Sequence, residues 1–148
     1  MKISIITVTY NAEATVERTM ESVAQQSYAD IEHIVIDGAS KDRTMEMVRR
    51  YAPAIVVSEQ DKGLYDAMNK GVRCATGDFL CFLNAGDKLH GKDTIARLVE
   101  AIEGTGAADD VGIVYGDTDI VDDGGRFLRV RRLTPPEVLT WRSFRSGM

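Results

Sequence analysis

The amino-acid sequence predicts an α/β fold, a three-layer α/β/α arrangement around a mostly parallel sheet. Three observations carry this. Short β-branched runs alternate strictly with segments of helical hydrophobic period, and the connections between them are short. The 148 residues, 44% of them hydrophobic, also suffice for one domain with a real core. Parallel strands joined by right-handed crossovers are what such alternation builds.

Ile3 to Thr9, ISIITVT, has no helical period and reads as a strand buried on both faces. Asn11 is placed to cap a helix over Ala12 to Gln25, in which Val16, Met20, Val23 and Ala24 form one apolar stripe. Ile31 to Asp37 is a second strand. Ser40 then reads as the cap of a helix lined by Met45, Val48 and Ala52 and ended near Pro53. Ala54 to Ser58 is the third strand. From Leu64 to Ala75 the apolar residues return to a helical face, which Thr76 and Gly77 stop. Asp78 to Asn84 is a fourth strand, Ile95 to Ile102 a fourth helix closed by Gly104, and Val111 to Gly116 a fifth strand. Asp122 to Gly125 is the turn of a hairpin. The tail LTPPEVLTWRSFRSGM starts a helix at its prolines and ends on Trp141, Phe144 and Met148 without a further burying element. The domain is therefore expected to be truncated at its C-terminal side, with residues 1–117 as the core and 118–148 as an incomplete second region.

Composition narrows the function. The net charge is −5, yet the segment from Arg126 onward carries Arg126, Arg129, Arg131, Arg132, Arg142 and Arg145 against Glu137 alone. The body before it is strongly acidic, which argues against nucleic-acid binding. The basic end suits a diphosphate, an anionic acceptor or a peripheral membrane contact, or simply a solvated strand face. No apolar stretch approaches the length that crosses a bilayer, and Met1 to Tyr10 lacks a signal-peptide cleavage site, so a cytoplasmic location is expected. Cys74 and Cys81 read as apolar filler in a reducing compartment, and with His33 and His90 they match no zinc spacing.

In open parallel sheets ligands bind at the carboxyl ends of the strands. Those ends read Thr9-Tyr10-Asn11, Asp37-Gly38-Ala39-Ser40, Glu59-Gln60-Asp61-Lys62 and Asn84-Ala85-Gly86-Asp87. All four are polar and three bear carboxylates. The first loop, TYNAEA, has neither the glycines of a dinucleotide fingerprint nor a phosphate-binding P-loop. A hard cation, Mg2+ or Mn2+, is the obvious candidate to hold phosphates, and Mg2+ typically takes only one or two protein carboxylates. Asp87 suits that role, with a turn or capping aspartate as the alternative. Asp37 could accept the N3–H of a uracil ring and Tyr10 could lie against the base. A turn or cap and plain packing are their respective alternatives. For Lys62, Asp66 and Asn69 the alternative is a solvated loop and helix face.

The blocks IITVTYN, VIDGASKDRT, DKGLYDAMNKG and FLNAGD, in this order, resemble family 2 glycosyltransferases of the GT-A fold, inverting enzymes that use nucleotide-diphosphate sugars. The resemblance runs from about Ile3 to Asp87. It implies that Thr9 and Tyr10, with Asn11 beside them, contact the nucleotide, that Asp37 reads the base, and that Asp61 and Lys62 form a loop near the nucleotide. Tyr65, Asp66 and Asn69 match the helix facing the sugar, and Asp87 matches the last acid of a metal-binding D-x-D region. Asn84 and Gly86 stand where acids are common, which leaves Asp87 as the sole carboxylate of that loop. Asp117 is the best-placed acid for the acceptor-side base within the chain.

The resemblance thus implies metal-assisted transfer of a sugar, from a UDP-sugar by preference, to a saccharide or lipid-linked acceptor in polysaccharide or glycolipid biosynthesis. A nucleotidyltransferase is the enzyme alternative, disfavoured because TYNAEA is neither glycine-rich nor basic. A nucleotide-sugar-binding module or inactive fragment is the non-enzyme alternative.

Overall fold

The computed structural model describes residues 1–106, 111–114, 116–122 and 124–131. The chain divides into two compact units, Met1–Gly104 and Thr105–Met148.

The first unit is built on a four-stranded parallel sheet. Its strands are β1 (Ile3–Thr9), β2 (Ile31–Asp37), β3 (Ile55–Ser58) and β4 (Phe79–Phe82), in the spatial order β3-β2-β1-β4. Every residue of β1 is buried, which explains why its sequence lacks alternation: it has a strand on each side and helices on both faces. At the sheet margins β3 and β4 alternate between half-buried and exposed residues instead.

Helices α1 (Val16–Ala24), α2 (Thr44–Arg50), α3 (Leu64–Cys74) and α4 (Thr94–Gly104) alternate with the strands. Ile3 and Ile5 of β1 point to one face, where Val23 of α1 and Ile95 and Val99 of α4 cover them. Val35 meets Val16, Met20 and Val48 of α1 and α2 on that same side. Ile6, Val8, Ile34 and Ile36 point the other way, onto Ala67 of α3. The three layers expected from the sequence are therefore present. On the α3 side the helix approaches closely because Gly71 faces the sheet; a Cβ there would lie 2.4 Å from Cγ2 of Ile6.

Two expected caps are not caps. The helix α1 starts at Val16 rather than Ala12, because Ala12 to Thr15 form a turn in which the Ala12 carbonyl accepts from the amides of Thr15 and Val16. Asn11 instead crosses to the next loop, where its Oδ1 accepts from Lys41 N at 2.9 Å and its amide donates to Ser40 Oγ at 2.8 Å. Ser40 faces back to Asp37, and α2 begins four residues later, with Asp42 Oδ1 accepting from Thr44 N.

In the second unit, β5 (Asp119–Val121) and β6 (Phe127–Val130) form the expected antiparallel hairpin. Asp122 closes its turn by accepting from Arg126 N at 2.8 Å through Oδ1. Arg126, Arg129 and Arg131 are exposed. Of the strand expected at Val111 to Gly116, the described residues, 111–114 and 116, have no regular structure. Gly112 inside that short apolar run weakens it as a strand. The expected tail helix, with Arg132, Arg142 and Arg145, lies outside the described residues. No helix among the described residues is long and apolar enough to cross a membrane.

Candidate functional site

The parallel register brings the strand ends level. Thr9 is paired with Asp37, and Asp37 with Ser58, so one row of polar residues closes three strands. Above this row lies a cavity of about 570 Å³, within the range of small-molecule sites. Its walls come from the ends of β1 and β2 (Val8, Thr9, Tyr10, Gly38, Ala39, Lys41) and from the β3–α3 connection and first turns of α3 (Gln60, Asp61, Gly63, Leu64, Ala67).

The local backbone is shaped for this. Ala39 adopts a φ of 62°, a left-handed conformation that a side-chain-bearing residue adopts at a cost. Gly38 lets two side chains close on it: a Cβ there would lie 3.2 Å from Asp61 Oδ2 and 3.2 Å from Cδ2 of Tyr10. Tyr10 is 64% exposed. Thr9 lines the cavity, but its Oγ1 is buried, with no hydrogen-bond partner among the described residues.

Of the residues anticipated from the sequence, Thr9, Tyr10 and Asp61 line the cavity. Asp37 does not. It is fully buried, and its oxygens accept from Ser40 N at 3.0 Å, from Ser40 Oγ, and from Ser58 Oγ at 2.6 Å. In this arrangement it shapes the loop that carries Gly38 and Ala39. Asn11 ties the two loops together from outside. Lys62 is exposed and donates its amide to Asp66 Oδ2 at 3.0 Å, so Asp66 pins the entry to α3. That bond holds the Asp66 carboxyl below its usual range; partial burial opposes the shift and the charges of Lys70 and Lys62 add to it. Tyr65 and Asn69 are exposed on α3 and are not among the cavity residues.

Lys41 and Lys70, passed over in the sequence, and Gln60, named there only as part of a strand end, belong here. Lys41 and Gln60 line the cavity. Lys70, one helical turn after Asp66, reaches Asp61 Oδ1 at 2.5 Å, Glu59 Oε1 at 2.8 Å and the Gln60 carbonyl at 3.1 Å. The hydrogen bonds to Asp61 and Glu59 raise the Lys70 pKa above its ordinary value, so it stays charged. The visible signal was the Asp66/Lys70 spacing of four on a helix.

Beyond β4, the chain keeps to β1, with Leu83 N donating to Ile6 O and Ala85 N to Val8 O. The loop from Asn84 to Asp87 is then held by α1: Thr19 Oγ1 accepts from Gly86 N at 2.9 Å and donates to the Asp87 carbonyl at 2.6 Å. This leaves the Asp87 carboxylate exposed, with no hydrogen bond or ion pair among the described residues. Asn84 Oδ1 is buried and has no partner among them either. No three His, Cys, Asp or Glu side chains converge as a ready-made metal cage among the described residues. An exposed carboxylate and an unsatisfied amide oxygen in one pinned loop are nevertheless hard oxygen donors. They fit an ion that takes the rest of its shell from phosphate and water. Asp117 is exposed in the second unit and follows no strand, contrary to its expected place.

Comparison with known proteins bears on the fold and the family. The chain is 40% identical over 119 residues to a PGL/p-HBAD biosynthesis glycosyltransferase of Mycobacterium bovis (strain BCG / Pasteur 1173P2), covering 77% of this chain and 45% of the relative. It thus spans about half the length of that relative. Among solved structures it resembles S. aureus TarS 1-349 in complex with UDP-GlcNAc, with a TM-score of 0.65 and 26% identity over 70% of this chain and 32% of that one. It also resembles the mannosyltransferase PcManGT from Pyrobaculum calidifontis in complex with GDP-Man and Mn2+, with a TM-score of 0.61 and 31% identity over 67% of this chain and 31% of that one. Residues 4–146 match Glycosyl transferase family 2, and the chain belongs to that family.

Proposed function

We propose that this chain forms the donor side of an inverting glycosyltransferase, in which the cavity between Tyr10 and Asp61 holds a nucleotide-diphosphate sugar, a UDP-sugar by preference. The observation that carries the reading is the cavity itself. It sits at the carboxyl ends of the parallel strands, and an aromatic residue, an acid and a cation, Tyr10, Asp61 and Lys41, line it together. The nucleotide-sugar complexes of the two structural neighbours support the ligand class.

The chemistry is a single displacement. A base takes the proton of an acceptor hydroxyl, whose oxygen attacks the anomeric carbon while the bond to the nucleotide diphosphate breaks. Asp87, with Asn84 beside it in sequence, would hold Mg2+ or Mn2+; the cation, when bound, neutralises charge on the departing diphosphate. The Mn2+ of the Pyrobaculum neighbour supports this. Thr19 keeps the Asp87 loop in place. A saccharide or lipid-linked acceptor in polysaccharide or glycolipid assembly completes the reading, and the PGL/p-HBAD biosynthesis relative supports it. Donor binding without transfer is the second reading, favoured because the cavity accounts for the donor alone.

Calorimetric titration with UDP-sugar, with and without Mn2+, tests the assignment. Wild-type chain is expected to bind in the micromolar range and more tightly with the metal, and Asp87→Ala to lose the metal-dependent part by about tenfold. Metal-dependent binding that survives Asp87→Ala would rule out the metal role. The absence of binding by any nucleotide would rule out the donor site.

A further inference from the structure

Lys70 and Asp61 form a device that the donor reading does not by itself explain. Asp61 and Lys70 are nearly enclosed, their side chains 9% and 14% exposed. An ammonium group has three N–H donors and no acceptor. Those of Lys70 go to Asp61 Oδ1, Glu59 Oε1 and the Gln60 carbonyl, at 2.5, 2.8 and 3.1 Å. Asp66 Oδ2 adds a longer charge contact at 3.9 Å. The lysine therefore has no donor left for a ligand, although it stands directly behind the cavity wall. It instead divides the Asp61 carboxylate into two unlike oxygens. Oδ1 is tied to Lys70. Oδ2 accepts nothing among the described residues and faces Gly38 and the ring of Tyr10, both on the cavity wall.

Resting on the donor reading, we propose that Lys70 is a positioning residue for base selection: by holding Asp61 Oδ1 it leaves one carboxylate oxygen for the base beside Tyr10. The chemistry of the bases then sets the choice. Uracil and thymine present one ring N–H between two carbonyls, which a single oxygen satisfies. Guanine presents a ring N–H and an exocyclic amino group side by side, and these want both oxygens of a carboxylate. With Oδ1 held, one guanine donor is left without a partner. Cytosine turns a lone pair toward the acid at the same ring position and is repelled. The order of preference is UDP and TDP ahead of GDP, with CDP last.

The test is titration calorimetry of the wild-type chain and of Lys70→Met, Lys70→Arg and Asp61→Asn with UDP, TDP, GDP and CDP, circular dichroism verifying folding. Wild type is expected to favour UDP and TDP over GDP by about tenfold or more. Lys70→Met frees Asp61 to meet guanine with both oxygens, and the UDP-to-GDP ratio collapses toward one. Lys70→Arg still holds Asp61 and keeps the ratio. Should Lys70→Met not fold, Asp61→Asn gives an independent reading: its amide can donate to cytosine, so the UDP-to-CDP ratio falls about tenfold. A wild type that prefers GDP or CDP overturns the inference. So does a Lys70→Met chain whose affinities all drop together with the ratio unchanged, and so does an unchanged UDP-to-CDP ratio in Asp61→Asn. In those cases nucleotides still bind and the donor site stands. A folded wild type that binds none of the four removes the donor site and this inference with it.

Discussion

Thr19 belongs to α1, yet it is the loop after β4 that depends on it. One hydroxyl both accepts from Gly86 N and donates to the Asp87 carbonyl. Thr19→Val keeps the shape and removes both bonds, leaving two partly buried backbone groups without partners. The expected loss is about 1–2 kcal/mol of stability, read from the denaturant midpoint. Metal-dependent nucleotide binding should weaken with it, because Asp87 loses its anchor. At this scale the sequence was a partial guide. Thr9, Tyr10 and Asp61 were found because strand ends in parallel sheets are where ligands sit. Asn11 and Ser40 looked like helix caps because short polar side chains bond equally well to a helix start or to a neighbouring loop. Lys70 was passed over because its partners, Glu59 and Asp61, lie across a chain reversal that periodicity does not reveal.

Among the elements, α3 owes its position to what it lacks. Ala67 and Gly71 are its buried residues, and the small face lets its axis come close to β1. Gly71→Ala places a methyl where Ile6 Cγ2 already is, in a strand with no room to retreat. A loss of about 2 kcal/mol is expected, with partial recovery in the double variant with Ile6→Ala, seen as non-additive unfolding energies. The cavity-lining Leu64 and Ala67 would move with the helix, so nucleotide affinity should fall too. The strand Ile3–Thr9 was legible because it is a short β-branched run with no helical period, as strands buried on both faces tend to be, and Ile31–Asp37 by its Ile-Val-Ile centre despite Glu32, His33 and Asp37. The run at Val111 to Gly116 looks similar, but it is short, holds a glycine, and nothing local states whether a neighbour will pair with it.

For the molecule as a whole, the far end of the sheet governs response to acid. Glu32 is almost completely buried on β2. Burial alone would raise its pKa, but bonds from Ser4, Lys2 and Thr76 outweigh it and bring the value to about 2. A depressed carboxylate stabilises the fold fully above the unfolded value near 4.5 and loses that contribution as pH falls toward 2. His33 is held to about 4 by burial, with Thr7 Oγ1 at 3.0 Å from its Nε2. The unfolded chain takes up that proton first, below about 6.5, so His33 also costs stability as pH falls from 6.5 to 4. Chemical denaturation across this range should show two successive declines. Glu32→Gln should flatten the lower one, worth roughly 2 to 3 kcal/mol.

Among the described residues, every one that lines the cavity lies between Val8 and Ala67. Such a pocket is encoded as one uninterrupted cassette. If the cavity holds the donor as proposed, base preference should be exchangeable between relatives by replacing a single stretch of gene, β1 through the first turns of α3. Lys70 lies just past that boundary. On the proposed reading, a chimera that stops at Ala67 would take Asp61, the acid facing the base, from one parent and Lys70, its ion-pair partner, from the other.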